Sequence, residues 1–322
     1  MGENGKPKFA MYWAAACGGC EIGVLDIQER LLDVAAFFEI VFWPVAIDAK
    51  YKDVEAMEDG FIDLCLFNGG IRNEENKHIA ELLRRKSKAL VAFGSCAHEG
   101  GIPGLANQYT AKSVLDYVYG GSPSTQNPSG FRPQPTYEVP EGEIHIPAFF
   151  DRLRPLDAVV DVDYYIPGCP PKAARIIEVL ELIMSGAALP PKGSVVGAGT
   201  KTVCDECPRE RKEKKLTGFR RPVEFIPDPE ECLLDQGMVC LGPATRSGCE
   251  SLCPNANMPC RGCYGPAPNV EDQGAKMMSA LSSVIDSSDP EDIEGIIGQI
   301  ADPIGTLYRF GLASSALRRL TP

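Results

Sequence analysis

Thirteen cysteines constrain this 322-residue chain more than any other feature of its sequence. Five of them are spread over the first 169 residues, and the other eight crowd into the segment 204–263. Disulfides rarely persist in a reducing cytoplasm, so clustered cysteines are there more typical of metal binding or of catalysis. A fold for this chain therefore has to bring distant thiols together at a few points.

The bulk properties of the chain exclude several classes of protein. Its formal net charge of −12 argues against nucleic-acid binding, because phosphate contacts rely on Lys and Arg. No run of eighteen apolar residues is present, so the sequence predicts no membrane span. The first twenty residues contain neither a basic segment before their apolar run nor a twin-arginine pair. We therefore expect a cytoplasmic protein.

The first half of the chain has the alternating pattern of an α/β domain. Helices are expected over 23–38 and 74–86, and after Pro170 and Pro171 as far as about residue 184. The five expected strands cover 8–15, 40–47, 61–67, 89–93 and 159–165. Strands that alternate with helices predict a mostly parallel, doubly wound sheet of the flavodoxin-like kind, covered on both faces.

Composition and periodicity predict that the chain has three parts. The predicted flavodoxin-like domain covers 1–188 and includes a Pro-, Ser- and Gly-rich excursion over 120–155. A smaller, irregular cysteine-rich domain is expected over 189–268, and its lack of periodicity indicates that metal supplies part of its stability. The remaining residues, 269–322, predict a helical tail.

Four early cysteines each follow a predicted strand directly. Cys17 and Cys20 come after the first strand, Cys96 after the fourth and Cys169 after the fifth. The ends of parallel strands line one crevice, so these four thiols can converge on one point. Four thiolates suit either a cubane iron–sulfur cluster or zinc. A thioredoxin-like Cys17–Cys20 redox pair is the alternative, but it leaves the other two cysteines unexplained.

The eight later cysteines match the number that two four-ligand clusters need. Cys207 and Cys253 are followed by Pro, as in the Cys-Pro ending of bacterial ferredoxin motifs. The spacings are irregular, whereas zinc ribbons repeat C-x₂-C pairs at a regular separation. Structural zinc stays open as an alternative, and a disulfide scaffold is disfavoured. Cys65 lies inside an apolar strand pattern and is interpreted as a core residue.

Several polar residues near the cysteines have a structural and a functional interpretation. Glu21 is best interpreted as a carboxylate that complements a helix N-terminus. For His98 and Glu99, ordinary loop polarity is favoured over a place beside a cluster. The charge run 209–215 is interpreted as a solvated segment, with docking to an acidic partner as the alternative.

Taken together, the motifs resemble those of nickel–iron hydrogenase small subunits, over about residues 8–268. The most similar type is the F420-non-reducing, methyl-viologen-reducing one, which partners heterodisulfide reductase. The residues that carry the resemblance are Cys17-Gly-Gly-Cys20, Gly94-Ser95-Cys96, Pro167-Gly168-Cys169-Pro170, Cys240-Leu-Gly-Pro-Ala-Thr-Arg-Ser-Gly-Cys249 and Asn257-Met-Pro-Cys260-Arg-Gly-Cys263.

The resemblance implies three 4Fe–4S clusters. The implied proximal ligands are Cys17, Cys20, Cys96 and Cys169. The implied medial ligands are Cys249, Cys253, Cys260 and Cys263. The implied distal ligands are Cys204, Cys207, Cys232 and Cys240. Relatives often have His where this chain has Cys204, and Pro where it has Cys253, so a full cubane with four thiolates is expected at both sites.

The resemblance also implies a function and partners. Hydrogen would be split on a large subunit, and this chain would relay the electrons to a further iron–sulfur subunit and heterodisulfide reductase. One alternative is the gamma subunit of a deazaflavin-reducing hydrogenase. The cluster-bearing subunit of respiratory complex I is related to the first domain only. A zinc-stabilised interaction module without a redox role is the alternative from a different class.

Overall fold

The computed structural model describes residues 5–212 and 215–318. Within these ranges ten strands are present. They are β1 (Lys8–Trp13), β2 (Glu39–Phe42), β3 (Ile62–Asn68), β4 (Ile71–Asn73), β5 (Ser87–Phe93), β6 (Thr136–Val139), β7 (Gly142–His145), β8 (Phe149–Arg154), β9 (Tyr164–Ile166) and β10 (Ser194–Val195).

Twelve α-helices connect or follow these strands in the described residues. They are α1 (Gly19–Leu25), α2 (Arg30–Phe37), α3 (Tyr51–Ala56), α4 (Glu74–Lys86), α5 (Ser95–Glu99), α6 (Ala111–Asp116), α7 (Ala173–Met184), α8 (Val203–Glu206), α9 (Leu252–Asn255), α10 (Gln273–Ser282), α11 (Pro290–Ile297) and α12 (Pro303–Leu307).

Six of the strands form one sheet in the order β10-β9-β5-β3-β1-β2, and all of its pairings are parallel. Alternate residues of β1 face opposite sides: Phe9 and Met11 pack toward α1, α2 and α7, whereas Ala10 and Tyr12 pack toward α3 and α4. Both faces of the sheet are therefore covered, and the predicted doubly wound α/β fold is confirmed. Cys65 of β3 is fully buried in the second face, as predicted for a core residue.

Several predicted elements have different limits in the structure. The helix predicted over 23–38 is two helices, because Gln28 between α1 and α2 adopts a left-handed conformation with φ of 57°. The fifth strand is only three residues long and does not begin at residue 159. Helix α7 begins at Ala173, after the two prolines that were expected to open it.

The predicted excursion over 120–155 contains two small antiparallel pairings. β6 and β7 form an exposed hairpin, and β8 pairs with β4 beside the main sheet. β10, which the sequence pattern did not predict, pairs with β9 and extends the sheet past residue 188. The division into three domains stays a prediction.

The helical tail packs on the cysteine-rich segment of the same chain. Met277 and Leu281 of α10, together with Leu307 of α12, share one apolar core with Leu234 and Leu241. The predicted helical tail over 269–322 consists of α10, α11, α12 and irregular backbone as far as residue 318, and residues 319–322 lie outside the described part. Among the described residues, no helix combines the length and the apolar character needed to cross a bilayer.

Candidate iron–sulfur sites

Four of the first five cysteines lie at the carboxyl edge of the sheet, and the exception is Cys65 inside β3. Cys17 follows β1 and Cys20 lies in α1, whereas Cys96 lies in the first turn of α5, directly after β5. Cys169 follows β9, which is the neighbour of β5 in the sheet. As predicted, parallel pairing brings these loops to one edge, although residue numbers 17 and 169 are far apart.

Electrostatic coupling shows that these four thiols lie close together. Burial raises the pKa of the Cys20 thiol, and the nearby thiols of Cys96, Cys169 and Cys17 raise it further. Burial also raises the pKa of Cys96 to about 12, with Cys169 and Cys17 adding to the shift. Mutual repulsion of this kind is relieved when thiolates bind positive metal centres. The group is called the first cysteine group below.

Two glycines leave room for sulfur in the first cysteine group. Gly94 has a φ of 83°, and a Cβ placed on it would overlap the sulfur of Cys20. Gly101 has a φ of 56°, and its Cβ would lie 2.6 Å from the sulfur of Cys96. Only glycine satisfies both the left-handed backbone and the close approach at these two positions.

The second cysteine group consists of Cys204, Cys207, Cys232 and Cys240. Three of these cysteines line a cavity of about 170 Å³, namely Cys204, Cys232 and Cys240. Burial raises the pKa of Cys204 to about 12, and the thiols of Cys240, Cys232 and Cys207 add to the shift while Arg211 opposes it. Gly242 borders the same space, since its Cβ would lie 2.9 Å from the Cys204 sulfur.

The third cysteine group consists of Cys249, Cys253, Cys260 and Cys263. Burial raises the pKa of Cys263 to about 12, and the thiols of Cys249, Cys169 and Cys253 add to the shift. Burial is also the largest cause of the raised pKa of Cys260, followed by the charge of Cys240 and, more weakly, that of Cys263. Each of these two cysteines therefore interacts with its own group and with one neighbouring group.

The third group lies between the other two. Cys263 interacts with Cys169 of the first group, whose backbone N–H also donates a hydrogen bond that lowers the Cys263 pKa in part. The backbone N–H of Cys260 donates to the sulfur of Cys240, in the second group, over 3.3 Å. Tyr264 anchors the first of these junctions, because its hydroxyl accepts a hydrogen bond of 3.0 Å from the Lys172 backbone.

The donor set of each group fits a cubane cluster. A cubane takes one thiolate per iron, so four cysteines have to surround a cluster and need not meet at one ion. No three His, Cys, Asp or Glu side chains within 5–212 and 215–318 are placed to bind a single metal ion. Backbone N–H groups face the sulfurs, as Gly242 does for Cys240 and Leu252 for Cys249. Such hydrogen bonds stabilise cluster sulfur.

Comparison with known proteins identifies the family to which this chain belongs. A family model described as the 20 Kd subunit of NADH ubiquinone oxidoreductase matches residues 17–183, which carry the first cysteine group. The iron-sulfur subunit of the F420-non-reducing hydrogenase of Archaeoglobus profundus is 43% identical over 97% of this chain and 98% of its own length. The chain belongs to the nickel–iron hydrogenase small subunits.

Other matches agree with this assignment. The small subunit is 37% identical to a subunit of the F420-non-reducing hydrogenase of Methanothermobacter marburgensis, over 97% of this chain and 96% of the relative. A solved NiFeSe hydrogenase chain of Dm. baculatum shares the fold, with a TM-score of 0.50, 16% identity and coverage of 82% of this chain and 96% of that one. The predicted hydrogenase family is confirmed, and the two relatives from A. profundus and M. marburgensis are subunits of F420-non-reducing hydrogenases.

As a hydrogenase small subunit, the chain is the electron-transfer part of an oxidoreductase complex, and its family implies a large subunit as partner. This role replaces the alternative of an independent interaction module. Binding of iron by the twelve cysteines, and the ligand sets implied by the resemblance, stay predictions.

The charge run 209–215 of the small subunit was expected to be a solvated segment, but one of its residues is buried. Arg209 is buried, and it donates to the carbonyl oxygens of Pro254, Asp228 and Glu231 over 2.8–3.1 Å. It thereby ties the loop before Cys232 to the loop after Cys253. Sequence reasoning missed this role, because neighbouring charges in a run give no sign that one of them is buried. Residues 213 and 214 of the run lie outside the described residues.

The polar residues near the first group are more buried than expected. Glu21 lies in the first turn of α1, as predicted, but it is buried and accepts a hydrogen bond of 2.5 Å from the Trp43 indole. The interpretation of His98 and Glu99 as loop polarity is wrong, because both lie in α5. Burial raises the pKa of Glu99 to about 8 and lowers that of His98 to about 4, and the His98 ring packs 4.8 Å from Tyr165.

Proposed function

We propose that the small subunit holds three 4Fe–4S clusters and passes electrons from a nickel–iron large subunit toward a heterodisulfide reductase-type acceptor. In this proposal the first cysteine group holds the proximal cluster, the third the medial cluster and the second the distal cluster. A further iron–sulfur subunit is the proposed immediate acceptor. The proposed compartment is the cytoplasm, where reducing conditions keep thiols free.

The observation that carries the proposal is the continuous series of the three cysteine groups. Cys263 and Cys169 join the third group to the first, and Cys260 and Cys240 join it to the second. Each junction is a backbone N–H directed at a sulfur of the neighbouring group. A series of one-electron carriers needs short separations between neighbouring carriers, and these two contacts between groups support such a series.

The ligand types favour low-potential centres. When bound, each cluster supplies a one-electron redox couple whose potential depends on net charge and on hydrogen bonds to sulfur. Cys253 supplies a fourth thiolate to the third group, and Cys204 makes the second group all-thiolate. Additional negative charge lowers the potential, which supports an acceptor of low potential.

The surface around Cys17 supports docking of the large subunit at the first group. Cys17 is itself exposed. Trp13, Ile22 and Leu25 surround this end of the sheet and α1, and they are 42%, 57% and 50% exposed. Apolar side chains beside an exposed cysteine are typical of an interface, since a partner both excludes water and shields the thiolates.

The acceptor can be identified on the complex purified without oxygen. We expect hydrogen to reduce the clusters of the complex, as followed by electron paramagnetic resonance, while the isolated small subunit does not respond to hydrogen. Co-purification of heterodisulfide reductase chains would support the proposed acceptor. Co-purification of a deazaflavin-binding flavoprotein would instead support the deazaflavin-reducing alternative and overturn the proposed acceptor, without affecting the cluster assignment.

A further inference from the structure

A pocket of about 320 Å³ opens on the surface between the loop after Phe219 and the start of α12. Four arginines line it, namely Arg220, Arg221, Arg261 and Arg309. Arg261 lies between two cysteines of the third group, so this arginine pocket borders the proposed medial site. The chain has a net charge of −12, so a pocket lined by four arginines is a positively charged patch on an acidic protein.

The arginines of the pocket have no carboxylate partner among the described residues, although the nearby thiols of Cys253, Cys240 and Cys260 favour the charged form of Arg261. The buried Nε of Arg309 has no hydrogen-bond partner there, and the Arg309 guanidinium repels that of Arg261. The single acidic side chain in the lining is Asp302, which caps α12 by accepting from the Gly305 N–H over 2.9 Å.

The rim of the arginine pocket is apolar and exposed. Val223 lines the pocket and is 84% exposed. Ile226, three residues further along the same loop, does not line the pocket but is 92% exposed. Met258, on the opposite wall, is 43% exposed. A small inorganic anion would satisfy the guanidinium groups but would leave these side chains in water. A protein segment that combines carboxylates with an apolar side chain would satisfy both.

We propose that the arginine pocket is a docking site for an acidic segment of a partner protein in the hydrogenase complex. Carboxylates of that segment accept hydrogen bonds from Arg221 and Arg309, and an adjacent apolar side chain covers Val223 and Ile226. The proposal concerns assembly, so it holds whichever acceptor the complex uses and however many clusters the chain binds.

The test uses the intact complex, purified anaerobically, with the double substitution Arg221→Gln and Arg309→Gln. The matched control is Arg85→Gln with Arg152→Gln, which removes the same charge from two exposed arginines of the sheet domain. Dissociation of each subunit is followed by native mass spectrometry as the salt concentration rises. We expect the pocket variant to release one partner with an affinity weakened by about tenfold or more, and the control to retain it.

Two further measurements separate docking from folding. The thermal midpoint of the pocket variant should match that of the wild type, because the buried Nε of Arg309 has no partner to lose among the described residues. Amides of 221–226 should exchange hydrogen for deuterium more slowly in the intact complex than in the isolated small subunit. Both measurements report binding and folding directly, so the test does not depend on electron flow through the relay.

Two outcomes would overturn the proposal. In one, each partner dissociates from the pocket variant at the same salt concentration as it does from the control and from the wild type. The other is saturable binding of inorganic phosphate to the arginine pocket while all partners stay bound, because the pocket would then hold a free anion and not a protein segment.

Discussion

The backbone N–H of Cys260 donates a hydrogen bond to the sulfur of Cys240, 3.3 Å away. The two cysteines belong to different groups, so the hydrogen bond connects the proposed medial and distal sites directly. Burial raises the pKa of Cys240 to about 11, and this hydrogen bond and one from Gly242 oppose that rise. The same N–H that stabilises a thiolate thus also sets the spacing between the two groups.

Replacing Gly94 by Ala should disrupt the first cysteine group. The new Cβ would overlap the sulfur of Cys20, and the backbone φ of 83° adds strain. We expect loss of about four irons per chain, one cubane, with the other clusters retained. The matched control is Gly130→Ala, which has a φ of 65° and open space around the added Cβ. Full loss of iron in the control, or none in Gly94→Ala, would contradict the assignment.

Replacing Cys253 by Pro should convert the third group to a three-iron site. The substitution removes one thiolate, so we expect the iron content to fall by about one per chain. A new three-iron signal should appear in the electron paramagnetic resonance spectrum of the oxidised protein. Cys65→Ala is the control, since the buried Cys65 thiol of β3 should not bind iron. An unchanged spectrum for Cys253→Pro would remove Cys253 from the ligand set.

Arg209 should be essential for the stability of the cysteine-rich segment. Arg209→Met removes every side-chain donor, so the carbonyl oxygens of Pro254, Asp228 and Glu231 lose their charged donor and keep only the Asn257 N–H or the Gln236 side-chain amide. We expect the free energy of unfolding to fall by about 3 kcal/mol or more, as for other buried charged hydrogen bonds. The exposed ion pair of Lys212 with Glu231 provides the control, because Lys212→Met should have little effect on stability. Equal effects in anaerobic denaturation would contradict the bridging role of Arg209.

Asp163 should stabilise the sheet in a pH-dependent way. Burial acts to raise the pKa of Asp163, but hydrogen bonds from Lys192, Arg84 and the Leu90 N–H outweigh it, so the pKa lies below its usual value of 3.8. A lowered pKa means that the stabilisation is complete above 3.8 and is lost as the pH falls through the folded-state value.

Asp163→Asn should therefore cost about 3 kcal/mol at neutral pH, because it leaves the cations around this buried carboxylate without their counter-charge. The cost should stay constant from about pH 8 to about pH 5 and shrink only in stronger acid. Fluorescence of the buried Trp43 reports unfolding of the sheet domain. Asp161→Asn, at an exposed position two residues away, should have little effect. A cost that disappears between pH 8 and pH 5 would contradict this account of Asp163.

Local sequence signals predicted the elements that depend on local interactions. Helix α4 has the limits expected from its amphipathic pattern, and the side chain of Asn73 caps it by accepting from the Asn76 N–H over 2.8 Å. The convergence of Cys17, Cys96 and Cys169 was also predictable, because parallel strands end at one edge. In contrast, the left-handed Gln28 that divides the first predicted helix leaves no mark in composition or periodicity.

Long-range docking of irregular backbone was beyond prediction from the residues alone. Segment 201–268 has little periodicity, so nothing in it indicated that Cys263 would lie against Cys169. The contact depends on tertiary anchors, such as the Tyr264 hydroxyl on the Lys172 backbone and the Arg175 side chain on the carbonyl oxygen of Gly248. The number of cysteines indicated how many groups to expect, whereas the order of the groups was implied only by the resemblance to hydrogenase small subunits and by no local pattern.

Iron and acid-labile sulfide per chain, measured on anaerobically purified protein together with zinc, test the central claim most directly. Twelve cysteines in three groups predict about twelve irons and about twelve sulfides per chain, with negligible zinc. Zinc with negligible iron would contradict the relay account, and about four irons would restrict the chain to a single cluster.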